Sequence, residues 1–114
     1  MTITLEGISL HVSNFEESYN FYAQLPGVEV ITQRPGEFVR FKIGDGFLHL
    51  VKLQKPGFHI EINTSDVTAV HQELLNSGFK PTEPQSHPWG KRDFNLVDPN
   101  GNMLEFGAME RSVG

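Results

Sequence analysis

The strongest constraint on the fold of this 114-residue sequence is an internal repeat, in which one half-domain pattern occurs twice. Residues 8–15, ISLHVSNF, match residues 60–67, IEINTSDV, position by position. Residues 44–50, GDGFLHL, resemble residues 100–106, NGNMLEF. Each half has the pattern of a strand, a capped amphipathic helix that ends near a glycine, and three further strands. The sequence therefore predicts two copies of a βαβββ module.

The repeat also identifies a set of equivalent positions. The overlay places Gly7 with His59, and His49 with Glu105. Three of these four residues are of types that bind divalent metals, whereas Gly7 has no side chain to offer.

Composition limits the classes of function. The chain has the length of one domain, and a domain of this size buries about two-thirds of its unfolded surface. The net charge of −5 argues against a nucleic-acid partner, and the lack of cysteine excludes disulfides and thiolate chemistry. The N-terminus has no signal-peptide pattern, and no apolar run is long enough to cross a membrane. These features predict a cytoplasmic protein with no membrane partner.

The first half predicts a strand, a helix and a hairpin. In the first strand, Ser9 and His11 lie on the opposite face from the apolar residues at 8, 10 and 12. Asn14 or Ser13 caps the helix, with a glutamate three residues on completing a capping box. A second strand covers residues 28–32. Strands 37–43 and 47–53 form a hairpin around Asp45-Gly46, a type I′ signal, in a register that pairs Ile43 with Leu48 and Phe41 with Leu50.

The second half repeats the pattern. A strand at 58–63 precedes a helix capped by Ser65 or Asp66, and residues 80–91 are expected to form a short strand and a loop. The last hairpin, 92–97 with 102–107, is predicted to pair Leu96 with Leu104 and Phe94 with Phe106 around a type I turn with a glycine bulge. His71 lies among polar helix residues and is predicted to be on the surface.

Each helix can cover only one face of its strands, so the other faces define a polar surface. We predict an α+β fold with one domain, residues 1–114, made of modules at about 1–54 and 57–114. The modules form a curled mixed sheet around a cleft lined by the uncovered faces. The polar residues predicted on those faces are His11, Arg40, Lys42, His49, His59, Glu61, Asn95 and Glu105.

Three segments resemble a known superfamily. They are residues 12–22, VSNFEESYNFY, residues 88–94, PWGKRDF, and residues 98–106, DPNGNMLEF. With the paired βαβββ pattern they resemble the vicinal oxygen chelate superfamily, which contains glyoxalase I, bleomycin-resistance proteins and extradiol dioxygenases. The likeness covers nearly the whole chain and is nearest to the bleomycin-resistance branch. It implies a small-molecule ligand and a homodimer.

In metal-dependent members, the resemblance implies ligands at the first and last strands of each module. The matching positions here are Gly7, His49, His59 and Glu105. His59 and Glu105 fit the family pattern, and His49 stands where Glu or Gln is usual. Gly7 departs from the pattern, and loss of a ligand weakens metal binding. The expected cofactor is at most one divalent metal (Zn, Ni, Mn or Fe), with no nucleotide or organic cofactor.

Five further residues are candidates for contact with a small-molecule ligand. Trp89 would stack on a ligand from its Pro/Gly-rich loop, or else serve as a packing plug or a subunit contact. Arg40 would bind an anionic group, although strand charges more often serve solvation. The others, which are equally consistent with ordinary polar strand positions, are Ser9, His11 and Asn95.

Two functions follow from these patterns. The first is a binding module that holds a small, antibiotic-like molecule in a dimer cleft, for which the gap at Gly7 and the loop at residues 89–92 are the arguments. The alternative is a metal-dependent lyase, isomerase or transferase that uses His49, His59 and Glu105. A scaffold with a cleft filled by its own side chains is a third reading.

Overall fold

The two sequence repeats fold into the same succession of elements. In this computed structural model, which describes residues 3–109, the order βαβββ occurs twice. This confirms the predicted α+β fold class with two βαβββ modules. The predicted module ends at 1–2 and 110–114 lie outside the described residues. The elements are β1 (Ile3–Val12), α1 (Phe15–Ala23), β2 (Glu29–Arg34), β3 (Phe38–Ile43), β4 (Gly46–Lys52), β5 (Gly57–Thr64), α2 (Val67–Asn76), β6 (Gln85–Ser86), β7 (Lys91–Val97) and β8 (Met103–Met109).

The chain divides into two compact units. The first unit is Glu6–His59, and the second unit contains the described residues 3–5 and 60–109. The first unit has the strand order β1-β4-β3-β2, and the second has the order β5-β8-β7-β6. In both units the first and last strands of the module are parallel, and the remaining neighbours are antiparallel.

Each unit has its own apolar core against one helix. In the first unit Tyr19 and Tyr22 of α1 pack on a fully buried centre, whereas in the second unit the stacked rings of Phe94 and Phe106 lie 5.0 Å apart. The buried core residues are Phe15, Val39, Phe41 and Leu50 in the first unit, and Ile62, Val67, Val70, Phe94 and Phe106 in the second. Within residues 3–109, no helix is long and apolar enough to cross a membrane.

Both helices begin at the side-chain caps that the sequence indicates. The Glu17 amide donates to Asn14 Oδ1 at 3.2 Å, and Asn14 Nδ2 donates to the Glu17 carboxylate at 2.9 Å. This confirms Asn14 as the cap, but Glu17 accepts from the Asn14 side chain rather than from its backbone N–H, so the pair differs from the predicted capping box. In α2 the Ala69 amide donates to Asp66 Oδ1 at 3.0 Å.

Strand registers show that the two units are structural repeats. Ser9 is the register partner of His49 in the first unit, and Glu61 is the register partner of Glu105 in the second. These pairs obey the overlay read from the sequence, so His49 and Glu105 occupy equivalent places on the last strands. Gly7 lies two residues before Ser9, and His59 lies two residues before Glu61. Because residues two apart on a strand share a face, Gly7 and His59 are also equivalent positions.

The two hairpins differ in how well the sequence predicts them. The predicted pairs Leu96 with Leu104 and Phe94 with Phe106 are confirmed in β7 and β8. The predicted register of the first hairpin is wrong by two residues, because Ile43 pairs with Gly46 and Phe41 with Leu48. The turn lies at residues 44–45, and the first of them, Gly44, has a φ of +60°. No non-glycine residue among 3–109 has a positive φ, so a type I′ turn, which needs two, is excluded.

His71 is a second correction. The sequence predicts a surface position, but the residue is only 7% exposed. Its Nε2 lies 3.0 Å from the Thr82 carbonyl oxygen, and its ring packs edge-on against Phe94. The hydrogen bond to a loop carbonyl satisfies the polar atom, which allows a histidine to serve as a core residue.

Candidate functional site

The polar face of the first unit is organised around a buried carboxylate. Arg40 donates from Nε and Nη2 to the two carboxylate oxygens of Glu6, at 2.7 and 3.0 Å. His49 Nε2 lies 3.1 Å from the same carboxylate. The Arg40 guanidinium also stacks on the Phe47 ring at 3.7 Å, and the Glu6 side chain is only 8% exposed. We call Glu6, Arg40 and His49 the Glu6 cluster.

Charge pairing sets the ionisation of this cluster. Burial raises the pKa of Glu6, but the hydrogen bonds and charges of Arg40 and His49 outweigh burial. The pKa of Glu6 therefore lies below its ordinary value of 4.5. A bidentate arginine holds such a carboxylate in one geometry as well as in one charge state.

Gly7 is fixed by a close backbone approach. A β-carbon at this position would lie 2.0 Å from the Phe47 carbonyl oxygen, and the φ of Gly7 is +156°. A histidine cannot take this place without moving β1 or β4. The preceding residue, Glu6, contacts Arg40 and His49 instead. The position that lacks a metal ligand is therefore bordered by a carboxylate already bound to a cation.

Two histidines meet at the end of the first unit. His11 Nε2 lies 2.8 Å from His59 Nδ1. Burial lowers the pKa of His11, and the charge of His59 lowers it further below the ordinary 6.5. Gly57 leaves room for the pair, since a β-carbon there would lie 3.3 Å from His11 Nδ1. Ser9, which lies on β1 with His11, is 2% exposed.

The polar face of the second unit places a lysine between two acids. Lys91 Nζ donates to Glu61 at 3.3 Å and to Glu105, and it lies 3.9 Å from an Asp93 oxygen. Burial lowers the pKa of Lys91, but the charges and hydrogen bonds of Glu61 and Glu105 outweigh burial, so that pKa is raised above 10.5. Lys91 is a cation at any physiological pH. We call Glu61, Lys91 and Glu105 the Lys91 cluster.

The same acids belong to a group with the chemistry of a metal site. One ligand atom each from His59, Glu61 and Glu105 lies within 4.8 Å of the others. His59 and Glu61 are two residues apart on β5, and Glu61 faces Glu105 across the β5–β8 ladder. One imidazole and two carboxylates are a donor set that Zn, Mn, Fe and Ni accept, so the residue types fit a divalent metal. The Lys91 ammonium is the group that such a metal would have to displace.

The loop before β7 presents the single tryptophan. Trp89 is 53% exposed, and its ring stacks on His87 with 4.4 Å between centroids. His87 Nε2 is held 2.8 Å from Asp93 Oδ1. The indole therefore has a fixed orientation and a large exposed area, as a stacking residue requires.

Asn95 lies opposite Glu105 in the β7–β8 ladder. Its backbone N–H donates to Thr82 Oγ1 at 2.8 Å. Within residues 3–109, its buried Oδ1 has no hydrogen-bond partner. An unpaired buried acceptor is costly, and a ligand or water that donates a hydrogen bond would satisfy it.

The structure distributes the predicted metal ligands over two clusters. His59 and Glu105 come together with Glu61, whereas His49 bonds to Glu6 and is not part of the donor group found among residues 3–109. The prediction that His49, His59 and Glu105 hold one metal stays a prediction. The ligand-contact roles of Ser9, His11, Arg40, Trp89 and Asn95 likewise stay predictions.

Three residues of the clusters were not among the predicted site residues. Glu61 and Lys91 could have been found from strand alternation, because Glu61 shares a face with His59 and Lys91 shares one with Asn95. Glu6 could not be found in this way, because strand alternation places it on the apolar face with Ile8 and not on the polar face with Ser9. Its contact with His49 depends on the irregular backbone at Gly7.

Comparison with known proteins identifies the family. The sequence model of the Glyoxalase/Bleomycin resistance protein/Dioxygenase superfamily matches residues 4–106. The chain therefore belongs to this superfamily, which confirms the resemblance read from its motifs. A comparison with curated protein sequences finds no match.

Solved structures share the fold at low sequence identity. A glyoxalase/bleomycin resistance protein/dioxygenase superfamily member from Vibrio splendidus 12B01 is 20% identical, has a TM-score of 0.69, and covers 93% of this chain and 98% of its own. A hypothetical protein from Bacillus halodurans C-125 is 17% identical with a TM-score of 0.76, covering 100% and 99%. The Mn(II)-bound glyoxalase from Novosphingobium aromaticivorans is 21% identical with a TM-score of 0.65, covering 96% of this chain but 42% of its own. These likenesses show the fold alone.

Proposed function

We propose that this protein is a small-molecule-binding member of the superfamily that holds an antibiotic-like ligand without a divalent metal. The observation that carries the proposal is the Lys91 cluster, in which an ammonium ion is paired with Glu61 and Glu105. In a metal-dependent member the acid at the position of Glu105 would be available to a metal. Here a side chain of the protein itself balances the charge of both acids.

The Glu6 cluster supports the same reading. Gly7 offers no ligand, and the neighbouring Glu6 carboxylate already accepts two hydrogen bonds from Arg40. Each unit thus pairs its acids with a basic side chain. Loss of a residue that only orients a metal ligand typically lowers metal affinity by about 10- to 100-fold, so loss of a ligand itself should lower it at least as much. A competing cation lowers it further.

Groups suited to ligand contact remain on these faces. Trp89 offers an exposed aromatic surface, and the Asn95 Oδ1 is a buried acceptor that needs a donor. The Arg40 side chain keeps 28% of its surface exposed beside Glu6. A ligand with an aromatic ring and N–H or O–H donors would use the contacts that Trp89 and Asn95 offer in the second unit. We further propose, from the family resemblance, that the protein works as a homodimer; light scattering after size-exclusion chromatography tests this.

A thermal-shift screen of chelator-treated protein tests the binding function. A ligand that binds only the folded state at about 100 times its dissociation constant adds roughly 2.7 kcal/mol of stability. We expect an aromatic, antibiotic-like compound to raise the melting temperature, and Trp89→Ala to reduce that shift. Phe79→Ala, which removes another half-exposed ring, is the matched control. A panel that stabilises the protein only after Zn²⁺ or Mn²⁺ is added would contradict the proposal.

A second candidate function is a metal-dependent lyase, isomerase or transferase. The observation that favours it is the His59, Glu61 and Glu105 donor group. A metal bound there would supply a Lewis acid that polarises a substrate carbonyl. This function predicts a near-stoichiometric divalent metal that is lost in His59→Ala and Glu105→Ala, measured by elemental analysis of protein purified without chelator. Protein that takes up no Zn²⁺, Ni²⁺, Mn²⁺ or Fe²⁺ would exclude it.

A further inference from the structure

We propose that Lys91 is a displaceable internal cation that keeps a latent divalent-metal site at Glu61 and Glu105 closed. The inference deepens the proposed function, on which it rests, because it names what controls access of a metal to the same site. Its central claim is competition: the ammonium and a metal cannot both be bound by these two carboxylates.

The contacts of Lys91 place its charge on the metal-donor group. Its Nζ is bonded to Glu61 and Glu105, which are two of the three members of the donor group with His59. The Glu61 side chain is 6% exposed and that of Glu105 is 18% exposed. Two nearby carboxylates with so little solvent repel each other strongly unless a cation lies with them.

The lysine stem has a path that β8 leaves open. A β-carbon at Gly107 would lie 2.7 Å from Lys91 Cε and 3.2 Å from Asp93 Cβ. Glycine at this position therefore gives the aliphatic chain room to cross the strand and reach the two acids. Any other residue at position 107 would require the Lys91 stem to shift.

The ammonium can also leave. The Lys91 side chain keeps 21% of its surface exposed, and a lysine is a strongly hydrated point charge on a flexible stem. Displacement by M²⁺ exchanges one cation for another on the same oxygens. The ammonium moves into water still protonated, and no bond is made or broken in the protein.

Isothermal titration with Zn²⁺ alone tests the competition. Lys91→Met removes the charge and keeps the stem, and we expect it to bind Zn²⁺ at least about tenfold more tightly than the wild type. Lys91→Arg keeps a cation, and Lys55→Met removes one from an exposed loop; both should match the wild type. Adding Glu105→Gln to Lys91→Met should abolish the gain in Zn²⁺ affinity. This result would distinguish binding at the proposed site from binding at other histidines of the chain.

The results separate this inference from the proposed function. Weak binding by both wild type and Lys91→Met overturns the inference and leaves the metal-free function standing. Weak binding by the wild type with tight binding by Lys91→Met supports both. Tight binding by the wild type overturns both, because Lys91 then does not keep the site closed.

A second variant guards against loss of folding. Lys91→Met leaves two acids without their lysine, so the protein can fail to fold. Glu61→Gln relieves that repulsion, and Glu61→Gln/Lys91→Met is then compared with Glu61→Gln alone. Tighter Zn²⁺ binding by the double variant supports the competition, and equal binding overturns it.

Discussion

The two units solve the same electrostatic problem with different cations. In the first unit Arg40 binds Glu6 through two parallel hydrogen bonds and stacks on Phe47. In the second unit Lys91 reaches two acids as a single charged atom. The arginine is held by both its fork and its ring contact, whereas the lysine is held by the charges and hydrogen bonds of a single ammonium on a flexible stem.

This difference assigns different roles to equivalent strands. We expect the Glu6 cluster to act as a fixed structural lock beside Gly7, because a bidentate arginine holds the carboxylate. We expect the Lys91 cluster to be exchangeable, because a single ammonium on a flexible stem pairs with both acids. The two polar faces thus share one repeat pattern, and the second contains Glu105, a position that the family resemblance predicts as a metal ligand.

The largest effect is expected at Gly7. Gly7→Ala puts a β-carbon 2.0 Å from the Phe47 carbonyl oxygen at a φ that L-residues avoid, so β1 or β4 must shift. We expect a loss of about 3–4 kcal/mol in the free energy of unfolding, measured with urea. Gly57→Ala is the control, because its β-carbon would meet only the movable His11 ring at 3.3 Å. Equal losses in the two variants would show that β1 is not fixed at Gly7.

Arg40→Met tests the lock itself. Methionine keeps the apolar contact with Phe47 but leaves the nearly buried Glu6 without its main partner, which should cost about 2–3 kcal/mol. Glu6→Gln/Arg40→Met should recover most of that loss, because the stranded charge is gone. If the double variant unfolds as readily as Arg40→Met, the cost comes from packing rather than from charge.

The pH dependence of stability should also differ between the clusters. Glu6 has a lowered pKa, so its contribution is complete above 4.5, its ordinary value, and is lost as pH falls through the lower folded-state value. Lys91 has a raised pKa, so its contribution is complete below 10.5 and is lost only as pH rises through the higher folded-state value. Melting curves of Glu6→Gln and wild type should therefore converge at acid pH. Constant separation from pH 7 to 3 would contradict the charge-pair account.

Sequence reasoning recovered the fold where local chemistry fixes geometry. The turn at residues 98–101 defines its hairpin, because Asp98 accepts hydrogen bonds from the amides of Asn100 and Asn102 and Gly101 takes a φ of +90°. At the first hairpin, either of two glycines can take the turn. In the structure Gly44 takes the positive φ of the turn, whereas the predicted register places Gly46 in the turn. The predicted pairs are therefore displaced by two residues.

The site was predictable only as far as strand alternation holds. The overlay of the repeats identifies His59 and Glu105, and alternation extends that face to Glu61 and Lys91. Alternation fails at Gly7, which has a φ of +156°, because Glu6 contacts Arg40 and His49 although it alternates with Ile8. The Phe47 backbone that approaches Gly7 belongs to another strand, and no local pattern of residues encodes that contact.

The smallest predicted effect compares the two helix caps. Asn14→Ala and Asp66→Ala should each cost about 1 kcal/mol, because each removes a side-chain acceptor for a first-turn amide. Of the two cap residues, only Asp66 carries a full negative charge at the positive end of its helix, and salt screens that interaction. Urea unfolding in 1 M NaCl, where the screening length is about 3 Å, should therefore reduce the cost of Asp66→Ala and leave that of Asn14→Ala unchanged. If salt reduces both costs equally, charge does not distinguish the caps, and the contrast between the units is confined to their polar faces.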